Sequence, residues 1–187
     1  FDLGLSDQIW ILADMDSDTQ FETSTGPSDE IIISTAASLM KKYSSENIPV
    51  GFIANGDRNI RLECKSGEAH FEEALTEMAS LKAEGNTNFD ALVGSVSRQW
   101  TSNSSVVLIT TASNTEWIPR LIDLSYKKVN VTVVIANEDS TQDTQSFREQ
   151  ISQLSELGIS PYVIYSQETL SDSLSETHFK RESRQHG

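Results

Sequence analysis

Asp14-Met15-Asp16-Ser17-Asp18 places three carboxylates at alternating positions directly after an apolar run. Three such groups within one turn of chain repel, raise one another's proton affinity and favour a cation among them. Their oxygens suit a hard divalent ion, Mg²⁺ or Ca²⁺. Two further groups of oxygen donors can be brought to the same place. Thr110 and Thr111 follow a second apolar run, and Thr87 lies in the loop Gly85-Asn86-Thr87-Asn88. No G-x-S-x-G elbow, P-loop or H-E-x-x-H pair accompanies them, so no complete catalytic set is present.

The remaining reactive side chains are isolated. His178 and His186 sit in a polar stretch and His70 at a helix start, and all three read as solvated surface. Cys64 is the one cysteine and reads as a small filler on an edge strand. Trp10, Phe52, Phe71 and Trp100 fall on apolar faces and belong to the core. Trp117 opens a helix after the mid-chain strand; packing at the helix start is the first reading, and a partly exposed anchor for a partner the second. Asp-x-Asp-x-Asp also begins an EF-hand calcium loop, but that loop needs Gly at its sixth position and Glu at its twelfth. Here Thr19 and Thr25 stand there, and that reading fails.

The elements that must position these residues alternate along the chain. Buried strands are predicted at Gln8–Ala13, Val50–Ala54, Val106–Ile109, Val131–Ala136 and Pro161–Tyr165, where apolar runs are short and continuous. Asn59–Cys64 alternates polar with apolar after the turn Asn55-Gly56-Asp57, and reads as an antiparallel edge strand. Helices are predicted over Asp29–Tyr43, Glu68–Leu81, from the 85–88 loop through Trp100, over Glu116–Lys127 and over Thr144–Leu157. A short one is expected near Thr169–Leu174, and Ser175–Gly187 reads as a polar tail. Strands separated by helices of this length pair in parallel, with helices on both faces. The expectation is one doubly wound α/β domain over residues 1–174, with about six strands and one antiparallel edge. In such a sheet ligands bind beyond the carboxyl ends of the strands, where strand order reverses. Residues 14–18, 87 and 111 should therefore converge on one rim.

Composition agrees with a folded domain that needs no crosslink: 187 residues, 37% hydrophobic and 22% charged. Lys and Arg number 14 against 28 Asp and Glu, a net charge of −14 that repels nucleic-acid phosphates and anionic lipid. A basic protein surface or a divalent cation fits this field better. A single cysteine points to a reducing compartment, and the sequons at Asn103 and Asn130 read as chance. No signal peptide or membrane-spanning run is legible. Phe1 in place of Met is what a piece of a longer protein would show.

An apolar strand ending in D-x-D-x-D, a later G-x-T-N loop opening a helix and the run VVLIT at 106–110 together resemble a von Willebrand A domain. More narrowly, WILADMD, STAASLMKKY and PVGFIANG resemble the bacterial domain-of-unknown-function family fifty-eight, usually found beside MoxR-type ATPases. The resemblance implies a metal-ion-dependent adhesion site, with Asp14 first, Asp16 and Asp18 where the family uses serines, and Thr87 as the loop threonine. Thr111 falls where many A domains carry aspartate. With those departures the site reads as degenerate, its acids facing solvent or capping the next helix. The implied role is a non-catalytic adaptor for a MoxR-type ATPase, with Thr111 and Trp117 on the partner side. The implied setting is the cytoplasmic face of a membrane-anchored protein. The enzymatic alternative is similarity to a haloacid-dehalogenase-like phosphatase. Asp14 would then be the nucleophile, Asp16 the acid–base, Thr110 and Lys127 or Lys128 the phosphate ligands, and Glu138-Asp139 the Mg²⁺ holders.

Overall fold

Gln8–Ala13 (β1) carries five buried residues in a row because it runs between two parallel neighbours and is covered on both faces. The computed structural model describes residues 7–23, 26–137 and 144–165. The other sheet strands are Val50–Asn55 (β2), Asn59–Lys65 (β3), Ser104–Thr111 (β4), Asn130–Ala136 (β5) and Tyr162–Ile164 (β6). Five helices connect or follow them: Ser28–Ser45 (α1), Glu68–Ala79 (α2), Phe89–Val96 (α3), Arg120–Tyr126 (α4) and Gln145–Glu156 (α5). A two-residue ladder, Glu22–Thr23 with Gly26–Pro27, precedes α1.

The sheet order is β3-β2-β1-β4-β5-β6, all parallel except β3, which runs antiparallel to β2 at the edge. Alternation along each strand divides the core in two. Ile9, Ile11 and Ala13 of β1 join Val107 and Ile109 of β4 beneath α1 and α2, against Ile32, Leu39, Ala74 and Met78. Trp10 and Leu12 join Val106 and Leu108 on the opposite face, against Phe89, Leu92, Leu121, Phe147 and Leu154 of α3, α4 and α5. This double burial is why the strand sequences are unbroken apolar runs. β3, with one neighbour and one wet face, alternates instead. The doubly wound reading is confirmed.

Three elements depart most from the sequence expectation. β4 extends through Ser104, Ser105, Thr110 and Thr111, all buried although polar. The helix expected to run to Trp100 stops at Val96 and tightens into a 3₁₀ turn over Ser97–Gln99. The helix expected from Glu116 starts at Arg120, because 115–119 form tighter turns (Ile118 amide to Thr115 carbonyl, 3.1 Å) and Pro119 has no amide to donate. The expected helix near Thr169–Leu174 and the tail lie outside the described residues. Among the described residues no helix is long and apolar enough to cross a membrane.

Candidate functional site

Strand order reverses between β1 and β4, so the crevice of this sheet opens at their carboxyl ends. Asp14 stands there. Its amide donates to the Ile109 carbonyl at 2.9 Å, which extends the β1–β4 ladder by one bond. It is 1% exposed. Oδ2 accepts the Thr110 hydroxyl at 2.6 Å and Oδ1 accepts the Asp16 amide at 3.2 Å. Burial, the largest influence, pushes its pKa up from 3.8 to about 6; the Thr110 and Asp16 hydrogen bonds pull the other way.

Asp16 is buried as well, but as a cap. Its Oδ1 accepts the Asp18 amide at 3.3 Å and opens the 3₁₀ turn Ser17–Thr19. Asp18 itself is exposed. Gln20, which sequence reasoning passed over, staples the loop together. Its Nε2 donates to the carbonyls of Asp14 and Asp16, both at 3.1 Å, while its Oε1 accepts the Ser28 hydroxyl at 2.7 Å. A lone Gln in a loop carries no spacing signal that would reveal this.

The 85–88 loop reaches the same rim, as expected. Gly85 donates to the Met15 carbonyl at 3.1 Å and accepts the Ser17 amide at 2.9 Å, a parallel bridge onto the acidic loop. Asn88 caps α3 through the Ala91 amide at 2.8 Å. Thr87, between these two anchors, is exposed. A Cβ on Gly85 would lie 2.2 Å from the Asn55 carbonyl oxygen and 2.8 Å from that of Met15, and both obstacles are backbone. Gly85→Ala is therefore expected to cost about 3 kcal/mol in urea denaturation, with faster hydrogen exchange at the Ser17 amide. Unchanged exchange would mean that the loop is held elsewhere.

Thr111 and Trp117 need correction as partner-binding residues. Thr111 is buried; its hydroxyl donates to the Thr19 carbonyl at 2.9 Å and pairs with Ser113 Oγ at 2.8 Å. Trp117 is 0% exposed and meets Phe89 edge-on, ring centres 5.7 Å apart. Neither presents a surface. His70 is not solvated either: it is buried, with Nε2 2.8 Å from the Val50 carbonyl. Its spacing with Ala74 and Met78 on one face of α2 was the available signal. The filler reading of Cys64 agrees with its surroundings, since its thiol donates to the Ile9 carbonyl at 3.3 Å and burial raises its pKa to about 12.

An octahedral cation would need several free oxygens converging. Each Asp14 oxygen already accepts one hydrogen bond, Asp16 caps a turn, and Asp18 and Thr87 lie out at the surface. Among the described residues no three His, Cys, Asp or Glu side chains are grouped to hold a metal. The residues do not fit the ion as they stand. The phosphatase set is also split. Lys127 and Lys128 follow α4 and lead into Asn130, which pairs with Ser105 at the amino ends of the strands, away from Asp14. Glu138 and Asp139 lie outside the described residues.

The family model described as "Protein of unknown function DUF58" matches residues 5–142. The chain belongs to the DUF58 family. Solved structures give its fold. BatB from Bacteroides thetaiotaomicron superposes with a TM-score of 0.59 at 13% identity, covering 94% of this chain and 98% of that one. An aerotolerance-related membrane protein from Bacteroides fragilis gives 0.55 at 15% identity, covering 88% and 95%. A von Willebrand factor type A protein from Catenulispora acidiphila gives 0.54 at 15%, covering 92% and 42%. A search of curated proteins returns no match. This DUF58 domain is von Willebrand A-like in fold, with one antiparallel edge strand.

Proposed function

We propose that this DUF58 domain is a non-catalytic protein–protein interaction module whose adhesion site has lost its cation. The observation that carries the reading is Asp14, the first acid of the A-type site. It is 1% exposed, and its two oxygens accept the Thr110 hydroxyl and the Asp16 amide within the loop. A carboxyl held in this way serves the loop's architecture rather than an ion or a nucleophilic attack. The A-type fold supports recognition as the role. The proposed partner is a MoxR-type ATPase, and the net charge of −14 favours a basic face on it. A membrane anchor elsewhere in the full protein, with this domain on the cytoplasmic side, completes the proposal. The membrane protein from Bacteroides fragilis supports the anchor.

Biolayer interferometry with the MoxR-type ATPase from the same genome tests both halves. Saturable binding of equal strength in Mg²⁺ and in EDTA, weakening as salt rises, is the expected result. No binding would remove the adaptor role. Binding that requires Mg²⁺ would keep that role and overturn the claim about the cation. Calorimetric titration of the chain alone with Mg²⁺, Ca²⁺ and Mn²⁺ is expected to show no saturable heat.

A further inference from the structure

A groove of about 590 Å³ opens at the amino end of β5, on the rim opposite Asp14, between α4 and the chain that follows α5. Its floor is the buried pair Leu121 and Val129, and its walls include Ile122, Tyr126 and Leu157. These three are 44%, 84% and 39% exposed, and Leu75 is the one other exposed large apolar side chain among the described residues. Single apolar residues on a surface are ordinary, but three around one concavity mark a contact surface. Ile122 and Tyr126 are four residues apart on α4, so the helix itself sets them side by side.

Lys128 is the one charged residue lining this groove among the described residues. The end of α4 puts it there. The Lys128 amide donates to the Ser125 carbonyl at 2.9 Å and the Val129 amide to the Leu124 carbonyl at 3.0 Å, a double closure in which glycine usually takes the left-handed position. Lys128 takes that position at φ 57°, and Val129 packs in the same core cluster as Leu124. The lysine is thus held at the rim by its own backbone. Its neighbour Lys127 is committed elsewhere, with Nζ donating to the Ser97 carbonyl at 2.9 Å. The Lys128 ammonium has no carboxylate partner among the described residues. Asp123 and Glu156 stand beside the groove on α4 and α5, but neither lines it, and Asp123 acts on Arg120.

We propose that this groove docks an acidic segment of a partner protein, which lays a large apolar side chain between Ile122, Tyr126 and Leu157 and a carboxylate on Lys128. A purely apolar occupant would cover Lys128 without a counter-charge, and a basic one would meet a like charge. An anionic membrane presents a whole plane of charge to a chain of net charge −14, whereas a segment brings only one or two carboxylates to one cation. The site goes beyond the adaptor reading and does not depend on it, since the face proposed there for the ATPase is basic.

Selection of a phage-displayed random dodecapeptide library against the chain tests this. Enriched peptides are expected to carry Leu, Phe or Trp beside Asp or Glu. A synthetic copy of one is expected to bind about tenfold more weakly to Tyr126→Ser and to Lys128→Glu, and about tenfold more weakly to the wild type when its own acids are replaced by amides. Both substituted side chains are exposed, so the variants should keep the parent's Tm. If either does not fold, the amide-substituted peptide on the wild type decides. No enrichment, enriched peptides without acids, or binding unchanged by these replacements would overturn the proposal. Two other occupants are read on the same samples. Self-association in sedimentation velocity that Tyr126→Ser abolishes would assign the groove to a second copy. Lys128-dependent co-sedimentation with equimolar phosphatidylglycerol–phosphatidylcholine vesicles would assign it to lipid. Either result would overturn the protein-segment assignment.

Discussion

Asp14→Asn is expected to stabilise the domain by roughly 2 kcal/mol at pH 8 and by nothing below about pH 4. The sign follows from the raised pKa. Between the unfolded value of 3.8 and the folded value of about 6, the native state holds a proton that the unfolded chain has released. Stability is therefore full below the lower value, falls as pH rises through the window, and stays reduced above it. Burial dominates this shift, and the Thr110 hydroxyl only partly offsets it. The whole displacement corresponds to about 3 kcal/mol against the ionised side chain. Asparagine removes the charge but also weakens the two hydrogen bonds that a carboxylate receives, which lowers the gain to about 2. Its Oδ1 can still accept the Asp16 amide, and the Thr110 hydroxyl can turn to accept from Nδ2. Urea midpoints of the two proteins at pH 8 and pH 4 measure the effect. A variant less stable than the parent at pH 8 would mean that something in solution holds the carboxylate, and a divalent cation would return as the first candidate.

The architecture was legible because the strands are buried on both faces and say so. QIWILA, VGFIA and VTVVIA are predominantly apolar runs for the reason that β1, β2 and β5 have helices above and below. The placement of Asp14 beside Thr110 and Thr111 followed from that pattern, since residues just past neighbouring parallel strands share a rim. What each threonine does was not legible. The sequence shows where β4 becomes polar, not that the strand continues to Thr111. On a strand, adjacent side chains face opposite ways, so Thr110 reaches Asp14 while Thr111 reaches the Thr19 carbonyl. A shift of one residue would exchange those roles, and composition does not fix such a parity.

Trp117 was legible only in part. Its loop position left a partner anchor open beside packing at the helix start; α4 begins only at Arg120, after Pro119, and the buried indole lies against Phe89.

Trp117→Ala is expected to destabilise the domain by about 3–5 kcal/mol, the largest loss of any substitution considered. The ring is completely buried and packs at 74° to Phe89, on the sheet face that also carries Leu92, Leu108 and Leu121. Truncation leaves a cavity between α3, α4 and the sheet, lined by side chains that cannot collapse together into it. Trp117→Phe separates packing from polarity. The indole N–H has no acceptor among the described residues, so removing it relieves an unmet donor while the ring volume falls. That variant is expected to lose no more than about 1.5 kcal/mol and to bind the proposed ATPase with unchanged Kd. Denaturant midpoints and binding isotherms on the same samples distinguish the two roles. Weaker binding by a phenylalanine variant of intact stability would return Trp117 to the interface. Stability loss in the alanine variant, with binding unchanged by phenylalanine, fixes it as core.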